Sequence, residues 1–148
     1  MLSNTAYIRE RLLREKCDQD RQLEAMRFMP KRVLIADDFN DTRRLMKLLL
    51  ETNGYEVDEA SDGYEAVKKA VKLRPNLILM DIAMPVMDGI QATQAIRRHY
   101  DQTEVPIVAV TAYGDFYNDR ARDAGCNDVI QKPVEVSKLP PIVERYIN

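Results

Sequence analysis

From Lys31 onward, short apolar runs alternate with segments that have the pattern of amphipathic helices. Five runs have the length and character of buried strands, at residues 32–37, 55–60, 76–81, 105–111 and 128–131. The third run is the most apolar and belongs at the centre of a sheet, whereas the second is flanked by acids and favours an edge. Regular alternation of this kind predicts an α/β fold, with a doubly wound five-stranded parallel sheet and helices on both faces.

Turn and cap residues separate these strands from the predicted helices. Asn40 or Asp41 is suited to cap the helix after the first strand, and Gly125 closes the fourth helix. Pro140 and Pro141 can lie only in the first turn of the last helix or before it. The helices are therefore expected at about 41–52, 63–73, 89–100 and 116–124, with a last one ending near residue 147.

Residues 1–30 differ from the rest of the chain, because they are dense in charge, contain no glycine and have only one proline, Pro30. This composition predicts an N-terminal helical extension that precedes a separate domain of residues 31–148. A heptad seam drawn along the helix mixes apolar and polar residues, namely Ile8, Leu12, Glu15, Gln19, Gln22 and Met26. Because that pattern is poor for a coiled coil, an extra helix or frayed arm is favoured over a dimerisation zipper. The oligomeric state stays open.

Composition narrows the functional classes. The chain has 148 residues, enough for one domain with a real core, and its net charge of -2 gives no electrostatic basis for binding nucleic acid or a membrane surface. No apolar run reaches transmembrane length and no signal peptide is visible, so the cytoplasm is the expected location. Cys17 and Cys126 lack metal-binding spacing and are expected to be reduced thiols.

Polar side chains stand at the ends of four predicted strands: Asp37, Asp38, Asp81, Thr111 and Lys132. Ligands of open α/β sheets bind beyond the carboxyl ends of the strands, so these side chains should converge. Three crowded carboxylates repel one another and need a cation, and their oxygens suit a hard ion, with Mg²⁺ the leading candidate. A lysine beside a metal indicates a phosphoryl group, whose negative charge both would neutralise.

These motifs resemble the receiver domain of two-component response regulators. The most specific stretch runs from Asp81 to Gly89, Asp-Ile-Ala-Met-Pro-Val-Met-Asp-Gly. The Asp37-Asp38 pair, residues 108–112, Ala124-Gly125 and Lys132-Pro133 accompany it in the same order as in the family, and the resemblance covers residues 31–148. It implies a flavodoxin-like receiver fold with strand order 2-1-3-4-5.

The resemblance also implies a role for each acidic residue. Asp81 would be the nucleophile that takes a phosphoryl group from the phosphohistidine of a sensor histidine kinase or histidine phosphotransfer protein. Asp38, Asp81 and the backbone carbonyl of Ala83 would bind Mg²⁺ directly, and Asp37 would hold the ion mostly through water. Positioning and charge neutralisation, rather than covalent work by other groups, would dominate such a transfer.

Further residues follow from the same resemblance. Lys132 would pair with the phosphoryl oxygens, Thr111 would donate a hydrogen bond to one of them, and Lys132-Pro133 would be a cis peptide. Most receivers carry Tyr or Phe three residues before this lysine, with a ring that moves on phosphorylation, but here Val129 occupies that position. The alternative readout is Thr111 and the loop after it. Tyr113 either takes part in that readout or is an ordinary half-exposed aromatic.

The expected function is a stand-alone phosphoacceptor receiver that signals by contact with an unknown downstream protein and is not a turnover enzyme. The alternative is a phosphorylation-independent adaptor that binds through the N-terminal helix, although an adaptor has no use for three crowded carboxylates. A phosphatase with an aspartyl-phosphate intermediate needs Asp-x-Asp at this strand, whereas Ile82-Ala83 follow Asp81 here.

Overall fold

A computed structural model gives the fold and describes residues 3–147. The chain divides into two compact units, one ending at Pro30 and the other beginning at Lys31. The helices are α1 (Asn4–Phe28), α2 (Asn40–Thr52), α3 (Gly63–Leu73), α4 (Gly89–Arg97), α5 (Gly114–Ala124) and α6 (Leu139–Ile147). The strands are β1 (Arg32–Ala36), β2 (Glu56–Ala60), β3 (Leu77–Asp81), β4 (Ile107–Thr111) and β5 (Asp128–Gln131).

The first unit contains helix α1, which confirms the predicted N-terminal helix. Ser3 caps it, since its side chain accepts a hydrogen bond from the backbone amide of Ala6 at 3.3 Å. An ion pair one turn apart joins Arg11 to Glu15 at 3.2 Å on the exposed surface. None of the helices within residues 3–147 combines the length and apolar character needed to cross a membrane.

The second unit contains a five-stranded parallel sheet in the order β2-β1-β3-β4-β5. The predicted central position of β3 and edge position of β2 are both confirmed, and every residue of β3 is buried. Ala36 pairs with Met80 and Asp81 pairs with Val110, so β1, β3 and β4 end at the same edge of the sheet. The chain reverses its direction of travel across the sheet between β1 and β3, which is where such folds bind ligands.

Side chains that alternate along the strands build a core on each face of the sheet. Leu34 and Met80 pack on one face, against buried residues of α3, α4 and α5. Ile35 and Leu79 pack on the other face, against buried residues of α2 and α6. Two layers of helices therefore enclose the sheet, which is the predicted doubly wound arrangement.

Several predicted boundaries were wrong for identifiable reasons. Helix α2 begins at Asn40 and its N-cap residue is Phe39, which makes no side-chain cap hydrogen bond, so neither Asn40 nor Asp41 is the cap. Helix α4 ends at Arg97, because the Arg97 side chain donates hydrogen bonds to the backbone carbonyls of Tyr100 and Asp101 in the turn that follows. Strand β4 begins at Ile107, after Pro106, which has no amide hydrogen for a sheet hydrogen bond.

Candidate functional site

The acidic pair lies directly after β1, and its two members have different environments. Asp37 is 1% exposed; its Oδ1 accepts a hydrogen bond from the amide of Phe39 at 2.8 Å, and its Oδ2 accepts one from Lys132 Nζ at 2.7 Å. Asp38 is exposed, and its carboxylate has no hydrogen-bond partner among residues 3–147. Asp37 is therefore bound on both oxygens by the protein, whereas the Asp38 carboxylate is free to bind a ligand.

Asp81 ends the central strand and is 6% exposed. One carboxylate oxygen accepts a hydrogen bond from the amide of Ala83 at 3.3 Å, and the other lies 3.3 Å from Lys132 Nζ. Gly89 passes close behind it: a Cβ there would lie 2.2 Å from the Asp81 carbonyl oxygen, so only glycine fits. The Asp88-Gly89 turn therefore both caps α4 and packs directly against the backbone of Asp81.

The electrostatics of Asp81 reflect its enclosure. Burial raises the pKa of Asp81 to about 6, the negative charge of Asp37 acts in the same direction, and the ammonium of Lys132 opposes both. Burial alone would lower the pKa of Lys132, but its hydrogen bond to Asp37 and the charge of Asp81 raise it overall. Lys132 is therefore a firmly protonated cation that partly offsets the repulsion between two carboxylates.

Thr111 is the last residue of β4, and Lys132 directly follows the neighbouring strand β5 at the same edge. The Lys132-Pro133 peptide is cis, as predicted, and the amide of Lys132 donates a hydrogen bond to the carbonyl of Thr111 at 2.8 Å. Thr111 is fully buried, and its hydroxyl accepts a hydrogen bond from the amide of Tyr113 at 3.2 Å. The structure thus brings together the carboxylates and the lysine, with the threonine at the end of the adjacent strand.

The carboxylates form a set that fits a metal ion. One oxygen from each of Asp37, Asp38 and Asp81 lies within 4.8 Å of the others. Carboxylate oxygens are the ligands that hard divalent cations prefer, and Asp38 is open to solvent for entry. Ala83 is exposed in the loop directly after β3, two residues beyond Asp81.

Two features of the site were missed by sequence reasoning. Arg43, in the first part of α2, donates a hydrogen bond from its guanidinium to the carbonyl of Asp37 at 2.8 Å. A groove of about 520 Å³, mostly apolar, opens beside Lys132; its walls include Phe39, Leu45 and Pro133. A cation near the start of a helix is electrostatically unfavourable and was the one signal that could have marked Arg43. The groove joins segments far apart in sequence and left no local signal.

Fold and site together define a receiver domain. Residues 33–144 match the family model of the response regulator receiver domain, and the chain belongs to that family. Its role is that of a receiver in two-component signalling, and receiver domains are signalling modules rather than turnover enzymes. The adaptor alternative is not favoured by these matches.

The chain is similar to a polar-differentiation response regulator, to the receiver domain of a sensor histidine kinase and to a CheY-like receiver domain protein. The polar-differentiation response regulator DivK of Brucella anthropi is 35% identical over 123 residues, which are 81% of this chain and 98% of that protein. The receiver domain of the sensor histidine kinase PA1611 from Pseudomonas aeruginosa PAO1 is 33% identical, with a TM-score of 0.74 over 80% of this chain and 98% of that one; its structure has a magnesium ion coordinated in the active site cleft. A CheY-like receiver domain protein from Methanospirillum hungatei JF-1 is 29% identical, with a TM-score of 0.75 over 80% of this chain and 94% of that one.

Proposed function

We propose that the protein accepts a phosphoryl group on Asp81 from a phosphohistidine. The observation that carries this proposal is the convergence of three carboxylates with Lys132 at the carboxyl edge of the sheet. A purely structural site would not bury Asp81 beside another carboxylate, because burial and repulsion both disfavour its ionised form. Functional sites are where such perturbed groups concentrate.

In the transfer, an oxygen of the Asp81 carboxylate attacks phosphorus. A bond from that oxygen to phosphorus forms while the bond from phosphorus to the donor imidazole nitrogen breaks, and the imidazole leaves with the electron pair. Lys132 moves its hydrogen bonds from the carboxylates toward the phosphoryl oxygens. The hydroxyl of Thr111 donates a hydrogen bond to one of those oxygens. The chain thus supplies the nucleophile and two groups that stabilise the transferred negative charge.

We assign the metal to Asp38, Asp81 and the backbone carbonyl of Ala83, with Asp37 bound mostly through water. The hydrogen bonds that already occupy both oxygens of Asp37 support this division of roles. When bound, Mg²⁺ would neutralise carboxylate charge and that of the incoming phosphoryl group.

The donor is proposed to be a sensor histidine kinase or a histidine phosphotransfer protein. The apolar groove beside Lys132 supports this, because a partner helix bearing the phosphohistidine can bury apolar side chains there while its imidazole faces Asp81. Phe39 and Leu45, which line the groove, are exposed in the free protein. The output is contact with a downstream protein, and nothing in the net charge of -2 favours nucleic acid.

The signalling change is proposed to start at Thr111 and continue into the loop that contains Tyr113. The hydrogen bond between the Thr111 hydroxyl and the Tyr113 amide supports this route. Val129 is partly buried against the core. It occupies the position at which the family resemblance implies an aromatic ring. We further propose that residues 31–148 are the receiver domain and residues 1–30 an extension not required for phosphorylation.

The test is intact-mass measurement after incubation with acetyl phosphate and Mg²⁺. The wild-type protein should gain the mass of one phosphoryl group, and hydroxylamine should remove it, since acyl phosphates are cleaved by that nucleophile. Asp81→Asn should gain none, while the control Asp119→Asn, at an exposed position of α5, should behave as wild type. Phosphorylation of Asp81→Asn at the wild-type rate would show that another residue is the acceptor.

A further inference from the structure

Arg43 makes an unusual set of contacts for a residue near the start of a helix. Its guanidinium donates hydrogen bonds to the carbonyl of Asp37 at 2.8 Å, to Oδ1 of Asn40 at 2.9 Å and to Oε1 of Glu59 at 3.2 Å. The side chain is 14% exposed. One planar group therefore joins the loop after β1, the first turn of α2 and the edge strand β2, which a guanidinium fork can do and an ammonium cannot.

This placement is electrostatically unfavourable without its partners. The N-terminus of a helix carries partial positive charge, so a cation turned toward it is destabilised. Glu59 provides the compensation, and Lys47 holds Glu59 in place at 3.2 Å. Burial alone would raise the pKa of Glu59, but hydrogen bonds and charges from Lys47 and Arg43 lower it overall. Glu59 is therefore ionised at neutral pH.

The bond to Asp37 acts on Asp38, because the Asp37 carbonyl belongs to the peptide group that joins the two residues. On the other side of Asp38, the next peptide group is held by the hydrogen bond from the Phe39 amide to Asp37 Oδ1 at 2.8 Å. The backbone of Asp38 is thus restrained from both sides. Its carboxylate, in contrast, has no partner among the described residues.

We propose that Arg43, anchored by Glu59, is a positioning residue that presents the Asp38 carboxylate to the metal. This inference rests on the proposed phosphoacceptor function and its Mg²⁺ site. Arg43 does not touch the metal or the reacting atoms. It fixes the peptide plane from which a direct ligand projects, so that binding a cation does not require the loop to be ordered first.

The direction in which Mg²⁺ affinity changes when Arg43 is removed distinguishes a positioning role from a purely electrostatic one. Arg43 is a cation close to an acidic site, so its charge alone weakens the binding of another cation. Removing that charge without disturbing the loop would therefore tighten Mg²⁺ binding. If Arg43 positions Asp38, its removal weakens Mg²⁺ binding despite the lost repulsion.

In the experiment, the metal-free full-length protein is titrated with Mg²⁺ alone, and binding is measured by isothermal titration calorimetry. Arg43→Met and Arg43→Lys are compared with the control Arg44→Met, whose side chain is exposed on the same helix. Loss of groups that orient metal ligands typically lowers metal affinity by about tenfold or more, and a loss of about tenfold is expected for Arg43→Met. Arg43→Lys keeps the charge but replaces the planar fork by a compact ammonium that cannot reach all three partners, and is expected to lose affinity several-fold. Arg44→Met should bind no more weakly than wild type.

A second readout uses the amide resonance of Phe39, recorded without metal. It should shift in both Arg43 variants and stay in place in Arg44→Met, because only the Arg43 changes release the loop. If the Arg43 variants are less stable but bind Mg²⁺ as tightly as wild type or more tightly, the role is structural and the inference is wrong. If wild type itself fails to bind Mg²⁺, the proposed metal site falls and the inference falls with it.

Discussion

Asp81→Asn should stabilise the metal-free protein. The change replaces a carboxylate by a neutral group of nearly the same shape, so packing around the central strand is preserved. What it removes is an ionised group that is 6% exposed and 3.3 Å from the Lys132 ammonium, with the carboxylate of Asp37 close by. Burial and the charge of Asp37 outweigh the attraction to Lys132, so the ionised form of Asp81 is a net burden on the fold.

The magnitude follows from the pKa of Asp81, which rises from 3.8 in an ordinary setting to about 6 in the folded state. That rise corresponds to a loss of roughly 3 kcal/mol in the free energy of unfolding once Asp81 is ionised in both states. Below pH 3.8 the carboxyl is protonated in both states and nothing is lost. As the pH rises toward 6, the unfolded chain ionises first and stability falls. The full loss is present above about pH 7.

Urea unfolding in EDTA measures this difference. At about pH 7.5, Asp81→Asn should exceed wild type by about 1–3 kcal/mol, the lower end allowing for ion-pair energy that Lys132 loses. At about pH 4 the gap should be small, because Asp81 is then protonated in the folded protein and only partly ionised in the unfolded chain. The control Asp119→Asn, at an exposed position of α5 away from the acidic site, should change stability by less than about 0.5 kcal/mol. A variant no more stable than wild type at neutral pH, or a gap that does not change with pH, would refute the reasoning.

Three further outcomes are expected. Mg²⁺ should raise the melting temperature of wild type, since only the folded chain assembles the site, and Asp38→Ala should lose most of that rise in thermal scans. Val86→Gly should increase the free energy of unfolding by about 1 kcal/mol in urea, because Val86 is 87% exposed with a φ of 68°, a left-handed conformation that strains a β-branched residue. A chain beginning at Lys31 should be phosphorylated like the full-length protein by intact mass, because every proposed site residue lies beyond that point.

The sheet could be predicted because its signal is local. Each strand is a short apolar run closed by a polar residue, and burial on both faces keeps β3 apolar throughout. Boundaries failed where a distant contact decided them. The end of α4 is set by Arg97, whose guanidinium also binds the carbonyl of Gly125, 28 positions away. Strand order has no local signal either, and it followed only from the family resemblance.

The same distinction applies to the site. The rule that ligands lie at the carboxyl ends of strands was sufficient to predict that Asp37, Asp81 and Lys132 come together at one edge of the sheet, since it requires only the strand ends. It could not assign their contacts. Lys132 binds Asp37 across 95 positions of sequence, and the raised pKa of Asp81 depends on that geometry. Arg43, in helix α2, was missed for the same reason, because its partner Glu59 lies on strand β2, 16 positions away in sequence.

The hydrogen bonding of Thr111 favours a readout that does not need an aromatic ring at Val129. A threonine hydroxyl has one hydrogen to donate and two lone pairs that accept. One lone pair of the Thr111 hydroxyl accepts a hydrogen bond from the amide of Tyr113 at 3.2 Å, which leaves the hydroxyl hydrogen available to donate. Thr111 can therefore bind a phosphoryl oxygen and keep its bond to the loop, so that any movement of the hydroxyl moves the backbone at Tyr113. Chemical-shift changes on adding beryllofluoride should accordingly concentrate at residues 111–116. Larger changes at 128–131 would show that the strand carrying Val129 transmits the signal instead.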